Sequence, residues 1–412
     1  MCADGARVTP IVRAIQRAEP AVVNIQGNKT VNADGVNSSE SKGQTVNGMG
    51  TGVILDRRGY IVTNLHVVQD VSRIQVTLPD GTETRARLLK FDPVTDLALI
   101  KIDIAHDLPV IEVGSSDDLL RGETVIAIGN PYGYNDTVTV GIISALHRNV
   151  PVNGTQEYRD LIQTNADINP GNSGGPLVNI EGKMIGINVA VRVGAQGIGF
   201  AIPSNTALDV VADLVASIQE EDLSLGVELK SVKSNGQRYL EVVSSENARL
   251  DINAGDRIVS VEGAPVQHRL DLEFALLGRR SGEGLEIGLV RGGRPVEAEV
   301  QLASASGRSS VSDEIWERFG AFLESVPAAT MSSLNSPYSG GLRVTKVKSG
   351  SIAAVRGLQV GDIIVGLMNR QTATTSDFHW VLKNEFRANQ PKIHLLEMKS
   401  GTSAQGNPRH TR

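Results

Sequence analysis

Between residues 21 and 191 the chain alternates short apolar runs with turn signals and holds no long helical period, which confines its first half to a barrel or sandwich of β-strands. The runs are Ala21 to Gln26, Gly52 to Asp56, Tyr60 to Thr63, Ile74 to Leu78, Leu97 to Ile102, Glu123 to Ile128, Thr137 to Ser144, Pro176 to Asn179 and Met184 to Val191. Glycine is frequent, with 43 copies, and aromatics make up only 4% of residues, a balance suited to tight turns rather than helical bundles. A short amphipathic segment precedes the strands, with Ile11, Val12, Ala14 and Ile15 at helical spacing and Pro20 ending it. The stretch Asn28 to Gly50, rich in Asn, Ser and Gly, reads as a long mobile loop. A helix over Asn205 to Ile218, launched from Pro203-Ser204, leads out of this region.

Beyond residue 220 the chain repeats itself. Ala254-Gly255-Asp256-Arg257-Ile258-Val259-Ser260-Val261 parallels Val360-Gly361-Asp362-Ile363-Ile364-Val365-Gly366-Leu367. Each is followed by a helix-period run, Leu270 to Leu277 or Phe378 to Leu382, and then by a strand. The expected division is an N-terminal segment (1–20), a β-rich domain with its exit helix (21–220), a first repeat (221–302), a linker (303–314), a second repeat (315–399) and a disordered tail (400–412). A chain of 412 residues is long enough for two to three domains at roughly 150 residues each.

The hexapeptide Gly171-Asn172-Ser173-Gly174-Gly175-Pro176 carries most of the chemistry. A serine between glycines sits in a tight turn whose amides can face one concavity and stabilise an oxyanion. The same pattern fits the nucleophile elbow of α/β-hydrolases, or chance in a glycine-rich chain. An elbow needs a helix after the serine and a histidine later in the chain, whereas here Pro176 and a strand follow. The best histidine, His66, comes first, after an apolar strand, and Asp96 stands before the strand-like Leu97-Ala98-Leu99-Ile100-Lys101. Each alone reads as a packed, capping or turn residue. Together they give the order His, Asp, Ser, the order of chymotrypsin-type enzymes.

These segments resemble the signatures of the HtrA/Deg serine proteases: Thr63-Asn64-Leu65-His66-Val67-Val68, Asp96 to Lys101, Gly171 to Asn179, and Gly197-Ile198-Gly199-Phe200-Ala201-Ile202-Pro203. The resemblance runs from Thr9 to about Met398. It implies a mainly β fold: a chymotrypsin-like double β-barrel followed by two PDZ (α+β) domains. It also implies a triad of His66, Asp96 and Ser173, and an oxyanion hole from the amides of Gly171 and Ser173 with Asn172 as a further donor. Asp167, Val189, Ala190, Val191, Ile198, Gly199 and Phe200 would line the substrate pocket. Leu225-Gly226-Val227 and Gly320-Ala321-Phe322 would be the carboxylate-binding loops of the PDZ domains, or else plain turns before strands. The implied activity is ATP-independent cleavage of unfolded or damaged polypeptides, with PDZ domains that bind protein C-termini. A scaffold with a vestigial protease domain and a regulatory protease with one dedicated target are the alternatives.

Asn172 departs from trypsin-type enzymes, which carry an aspartate there, and other residues depart from the HtrA/Deg pattern. Asn172 has no charge to pair with a newly cut N-terminus, so switching by loop rearrangement is expected, at Asn130 to Thr137, Asp167 to Pro170 and Arg192 to Gly197. Asp167 precedes the serine by six positions, where a carboxylate either favours basic side chains or simply faces solvent. Asn165 stands where Asp is usual, and no aromatic precedes Tyr60 to support the family's trimer.

Composition excludes other classes. A net charge of −6 without any basic stretch gives no reason to expect nucleic acid. Cys2, the single cysteine, leaves no intramolecular disulfide and no cysteine-based metal site. Gly48-Met49-Gly50-Thr51-Gly52 lacks phosphate-loop spacing and reads as a turn, so no cofactor and no metal are expected. No 18-residue apolar run is present to span a membrane. Met1-Cys2-Ala3-Asp4-Gly5 lacks the features of a signal peptide, which leaves the location undecided: periplasm or cell envelope, as the resemblance implies, if a leader has been lost, and otherwise cytoplasm.

Overall fold

A computed structural model describes residues 7–31, 44–69, 71–129, 137–151, 157–169, 171–189, 197–219, 223–234, 237–245, 251–304, 311–326, 331, 340–368, 370–372, 375–384, 393–396 and 409–410. The chain forms two compact units, Met1–Asn149 with Arg159–Ser306, and Val150–Tyr158 with Gly307–Arg412. The first opens with helix α1 (Pro10–Ala18), capped by the Thr9 hydroxyl, which accepts from Val12 N.

Two closed barrels follow. The first is built from β1 (Val22–Val31), β2 (Gln44–Asp56), β3 (Tyr60–Asn64), β4 (Val71–Thr77), β5 (Glu83–Asp92) and β6 (Leu97–Ile102), in the order β1-β2-β3-β6-β5-β4. The second uses β7 (Thr124–Gly129), β8 (Thr137–Pro151), β9 (Glu157–Thr164), β10 (Pro176–Asn179), β11 (Met184–Val189) and β12 (Gly199–Pro203), ordered β10-β11-β12-β9-β8-β7. Counted from its own first strand, each barrel closes through the same ring of neighbours. Val23, Ile54, Ile61, Val62, Leu99, Ile100 and Ile102 fill the first barrel with no exposed surface. At about 1.5–3 kcal/mol for each fully buried aliphatic side chain, such packing can hold a barrel without a disulfide.

Two expectations fail here. The supposed mobile loop from Asn28 is a strand extension in its outer parts: Asn28 to Val31 pair with Gln44 to Asn47. The supposed turn around Thr51 lies inside β2, where Asn24 pairs with Thr51 and Ile25 with Gly50. Small polar residues read as loop formers, but the ladder satisfies their backbone groups just as well. Strands β5 and β9 carry charged residues and escaped the apolar criterion altogether.

Helix α2 (Leu65–Val68) follows β3 directly, and helix α3 (Ser204–Ala216) leaves β12. The first unit then adds a smaller sheet: β13 (Leu223–Ser224), β14 (Val227–Ser234), β15 (Gln237–Ser245), β16 (Arg257–Val261), β17 (Ala264–Pro265), helix α4 (Arg269–Leu276), β18 (Gly284–Arg291), β19 (Arg294–Gln301) and β20 (Ala303–Ser304). The order β14-β15-β16-β18-β19 surrounds a core of Leu240, Val242, Ile258, Leu285, Ile287, Leu289 and Val300. The expected linker is partly structured, because Ala303–Ser304 pair with Leu223–Ser224 and close this domain.

Helix α4 is clamped to the barrels. Arg58 is held twice by Asp56, at 2.8 and 3.0 Å, and donates from Nη2 to the Phe274 carbonyl at 2.9 Å. The Tyr60 and Phe274 rings lie 5.3 Å apart, each within 5.7 Å of the Arg58 guanidinium. Arg269 joins Asp213 of α3 at 2.6 Å.

The second unit holds helix α5 (Val311–Arg318), β21 (Ala321–Val326), β22 (Gly341–Val347), helix α6 (Ile352–Val355), β23 (Ile363–Leu367), β24 (Arg370–Gln371), helix α7 (Thr375–Asn384), β25 (Ile393–Leu396) and β26 (Arg409–His410). Its order, β21-β22-β23-β25-β26, matches the first repeat strand for strand. The Gly-Asp pair explains the sequence parallel. Asp256 accepts from Asn253 N and Asp362 from Gln359 N, and Gly255 and Gly361 donate to Val242 and Val344 in turn. Two boundaries move: α5 starts ahead of residue 315, and Arg409–His410 of the supposedly disordered tail pair with Leu395 and His394.

Candidate active site

Strand β3 ends at Asn64 and α2 begins at once, so His66 lies in the first turn of a helix backed by Leu65, Val67 and Val68. Asp96 lies just ahead of β6, the neighbour of β3, so the two residues meet by strand pairing. The approach to Asp96 is shaped by Asp92, whose carboxylate accepts from Val94 N, Thr95 N and the Thr95 hydroxyl. Asp96 itself has φ +59, a region that few non-glycine residues adopt. Its carbonyl is fixed there by Leu65 N at 2.8 Å and Asn64 Nδ2 at 3.0 Å.

The carboxylate of Asp96 is 5% exposed and grips His66 at two points. Oδ2 meets Nδ1 at 2.5 Å and Oδ1 accepts the His66 backbone N–H at 2.9 Å. With Nδ1 donating to the carboxylate, Nε2 is left as an acceptor. It lies 2.9 Å from Ser173 Oγ, which also lies 3.3 Å from Asn64 Oδ1. Ser173 is 3% exposed, while the His66 side chain is 41% exposed, so the site opens on the imidazole side. The structure thus brings together the three residues singled out by order alone, and adds Asn64, buried between all of them.

The loop carrying Ser173 is tied down on every side. Asn172 N donates to Asn169 O, Gly175 N to Asn172 O, and Gly174 N to Asn188 O. Thr51 N donates to Ser173 O at 2.9 Å and Thr51 Oγ1 to Gly171 O at 2.6 Å. Gly174 has φ +83, and a Cβ there would stand 2.2 Å from Thr51 O, so only glycine fits. One expectation is corrected: the Asn172 amide is spent inside the loop, which withdraws it as an oxyanion donor. Gly171 and Ser173 remain the candidates.

The residues expected around the pocket separate into groups. Val189 and Phe200 face each other across β11 and β12 and are buried, at 1% and 5% exposure. Gly199 approaches Ile168 so closely that a Cβ would lie 2.6 Å from its Cγ1 and 2.8 Å from Ala166 O. Ile198 is partly exposed, whereas Ala190 and Val191 lie outside the described residues, as do 130–136, 170 and 192–196 of the expected switching loops. Asp167 is exposed, and its backbone carbonyl accepts from Thr139 Oγ1 and Asn172 Nδ2. Asn165 Oδ1 accepts from Ile142 N at 2.7 Å. Sequence reading missed Ile168, although it is the one branched apolar side chain in a polar stretch before the serine.

In the first repeat Leu225 is buried in the core, Gly226 has φ +69 and Val227 begins β14. Val227 and Leu229 of β14 and Ala275 of α4 are half-buried against the same core. The second loop differs from expectation. Phe319 N and Gly320 N both donate to Ile315 O and cap α5, which removes Gly320 as a carboxylate donor. Ala321 is buried, and Phe322 stacks on Trp316 with ring centroids 4.6 Å apart.

Comparison with known proteins agrees with this geometry. The trypsin-like peptidase domain family matches residues 50–187 and the PDZ domain family residues 224–302. A probable periplasmic serine endoprotease DegP-like from Chlamydia trachomatis serovar D is 37% identical over 351 residues, covering 81% of this chain and 70% of its own length. The periplasmic pH-dependent serine endoprotease DegQ of Escherichia coli (strain K12) is 31% identical, with 98% and 91% covered. The solved structure of the HtrA-type protease AlgW with decapeptide is 34% identical, covering 71% of this chain and 98% of its own, with a TM-score of 0.43. A double barrel that joins His66, Asp96 and Ser173, followed by a PDZ domain and set among such relatives, places the chain in the HtrA/Deg family of serine endoproteases.

Proposed function

We propose that the chain cleaves unfolded or damaged polypeptides without ATP, through an acyl-enzyme on Ser173, and that its PDZ domains recruit peptide C-termini. The observation that carries the chemistry is the line from Asp96 Oδ2 to His66 Nδ1 at 2.5 Å and from His66 Nε2 to Ser173 Oγ at 2.9 Å. Nε2 takes the hydroxyl proton as Oγ attacks the scissile carbonyl. The amides of Gly171 and Ser173 hold the negative oxygen, and Asp96 keeps the imidazole in its tautomer and stabilises the imidazolium. His66 then returns the proton to the leaving amine. Water repeats the sequence on the ester and frees Ser173.

Ile168, partly buried against the core of the second barrel and closely approached by Gly199, suits an aliphatic side chain next to the cut. β14 is an edge strand of its sheet and begins just after Gly226, an arrangement that suits an extended peptide added as a further strand. The names of the relatives favour a periplasmic or envelope location. Among the described residues no helix is long and apolar enough to cross a membrane. A homotrimer or higher oligomer is retained from the family resemblance. The scaffold alternative is disfavoured, since a strained Asp96 held by four hydrogen bonds has no use in a pure binding protein. The test is degradation of reduced, unfolded protein without nucleotide. The wild type should degrade it and spare the native form, and Ser173→Ala should degrade neither; equal activity of the two proteins would refute the reading.

A further inference from the structure

Resting on that reading, we propose that the Thr51 side chain is a positioning residue that sets the direction of the Gly171 amide and so holds the oxyanion hole open. Thr51 belongs to β2 of the first barrel, yet two of its polar groups serve the loop of the second, and a third ties it to the neighbouring strand β3. Its N–H donates to Ser173 O at 2.9 Å, its hydroxyl to Gly171 O at 2.6 Å, and its carbonyl accepts the Thr63 hydroxyl at 2.7 Å. Thr51 and Thr63 have no exposed surface, so these bonds are sheltered from competing water.

The need for a latch follows from the loop's own bonding. The Asn172–Ser173 peptide is held by Gly175 N on its carbonyl, and the Ser173–Gly174 peptide by Thr51 N on one side and Asn188 O on the other. The Gly171–Asn172 peptide has a loop partner only for its N–H, Asn169 O; its carbonyl depends on the Thr51 hydroxyl. Gly171 has φ +111 and no side chain to restrict it, so its two flanking peptide planes can turn. Once its carbonyl is pinned, the plane on that side is fixed and its own N–H can be redirected only through the two torsions at its Cα. Without the hydroxyl the buried carbonyl lacks a partner, and the plane turns to find one.

The hydroxyl can be removed while the backbone bond to Ser173 stays. Thr51→Val keeps the shape, and Thr51→Ser keeps the hydroxyl but loses the methyl. The probes are a chromogenic peptide, for kcat and KM, and a peptide aldehyde, whose hemiacetal oxygen enters the anion pocket. Thr51→Val should lower kcat roughly tenfold or more, short of the hundredfold or larger cost of deleting a donor outright. KM should change less than about threefold and aldehyde affinity should fall in step with kcat. Thr51→Ser should stay near the wild type. If circular dichroism shows that Thr51→Val is unfolded, Thr51→Ala carries the same comparison. Unchanged kcat and aldehyde affinity in the valine variant overturn the inference, as does equal damage in the serine variant, which assigns the effect to packing. A wild type that neither turns over the peptide nor binds the aldehyde rejects the protease reading instead.

Discussion

Asp96 holds His66 at both ends of one carboxylate: Oδ2 at 2.5 Å from Nδ1, Oδ1 at 2.9 Å from the backbone N–H. Ring and main chain are therefore fixed by one side chain. Asp96→Asn would present an amide N–H or a weaker carbonyl to Nδ1 and favour the wrong tautomer. We expect kcat to fall about ten-thousandfold with little change in KM. Steady-state kinetics on a peptide substrate measure it, and a loss under tenfold would remove Asp96 from the triad.

Asn64 should matter although it is not one of the three. It pins the strained Asp96 carbonyl and lies against the Ser173 hydroxyl. Asn64→Ala should cost about 1–3 kcal/mol of stability, the usual consequence of stranding a buried polar group. Urea denaturation reads the stability directly. A variant as stable as the parent would show that Leu65 N alone suffices.

The pocket prediction separates Ile168 from its sequence neighbour Asp167. Gly199→Ser would drive a side chain into Ile168 and suppress cleavage after branched aliphatic residues. Asp167→Asn should leave the cleavage profile unchanged, because that carboxylate is exposed. Mass-spectrometric profiling of cut sites decides. Abundant Lys or Arg before the cut, lost on Asp167→Asn, would reverse the assignment.

The clamp between α3 and α4 should respond to acid. Burial holds His268, at the start of α4, below the ordinary histidine value, against the pull of Asp271 and Asp209 and with Arg238 adding to the depression. Its contribution to stability is complete above about pH 6.5 and is lost as pH falls toward the lower folded value. Burial shifts Asp209 the other way, upward, opposed by Arg238, Arg269 and His268 and reinforced by Asp213. Its contribution is present below the ordinary aspartate value and lost as pH rises through the folded one, so it acts in the opposite sense to that of His268. Melting temperatures at pH 7 and pH 5.5 should differ less in His268→Gln than in the parent. Equal differences would show that His268 is not the responsive group.

What the sequence disclosed was what depends on local pattern. His66, Asp96 and Ser173 were legible from order and from the strands and glycines beside them. The repeat was legible because Asp256 and Asp362 do the same turn-closing task. What stayed hidden depends on chain segments far apart. Thr51 read as a turn residue because its partners, Gly171 and Ser173, are more than a hundred positions away. Ile168 became a pocket candidate only through the close approach of Gly199. The Asn172 and Gly320 amides looked available until Asn169 and Ile315 were seen to accept from them.

The most direct measurement is intact-protein mass spectrometry after exposure to a fluorophosphonate, followed by peptide mapping. The account predicts one adduct per chain, located on Ser173 and absent from Ser173→Ala and His66→Ala. An adduct on another residue, or labelling of the His66 variant at the rate of the parent, would contradict it.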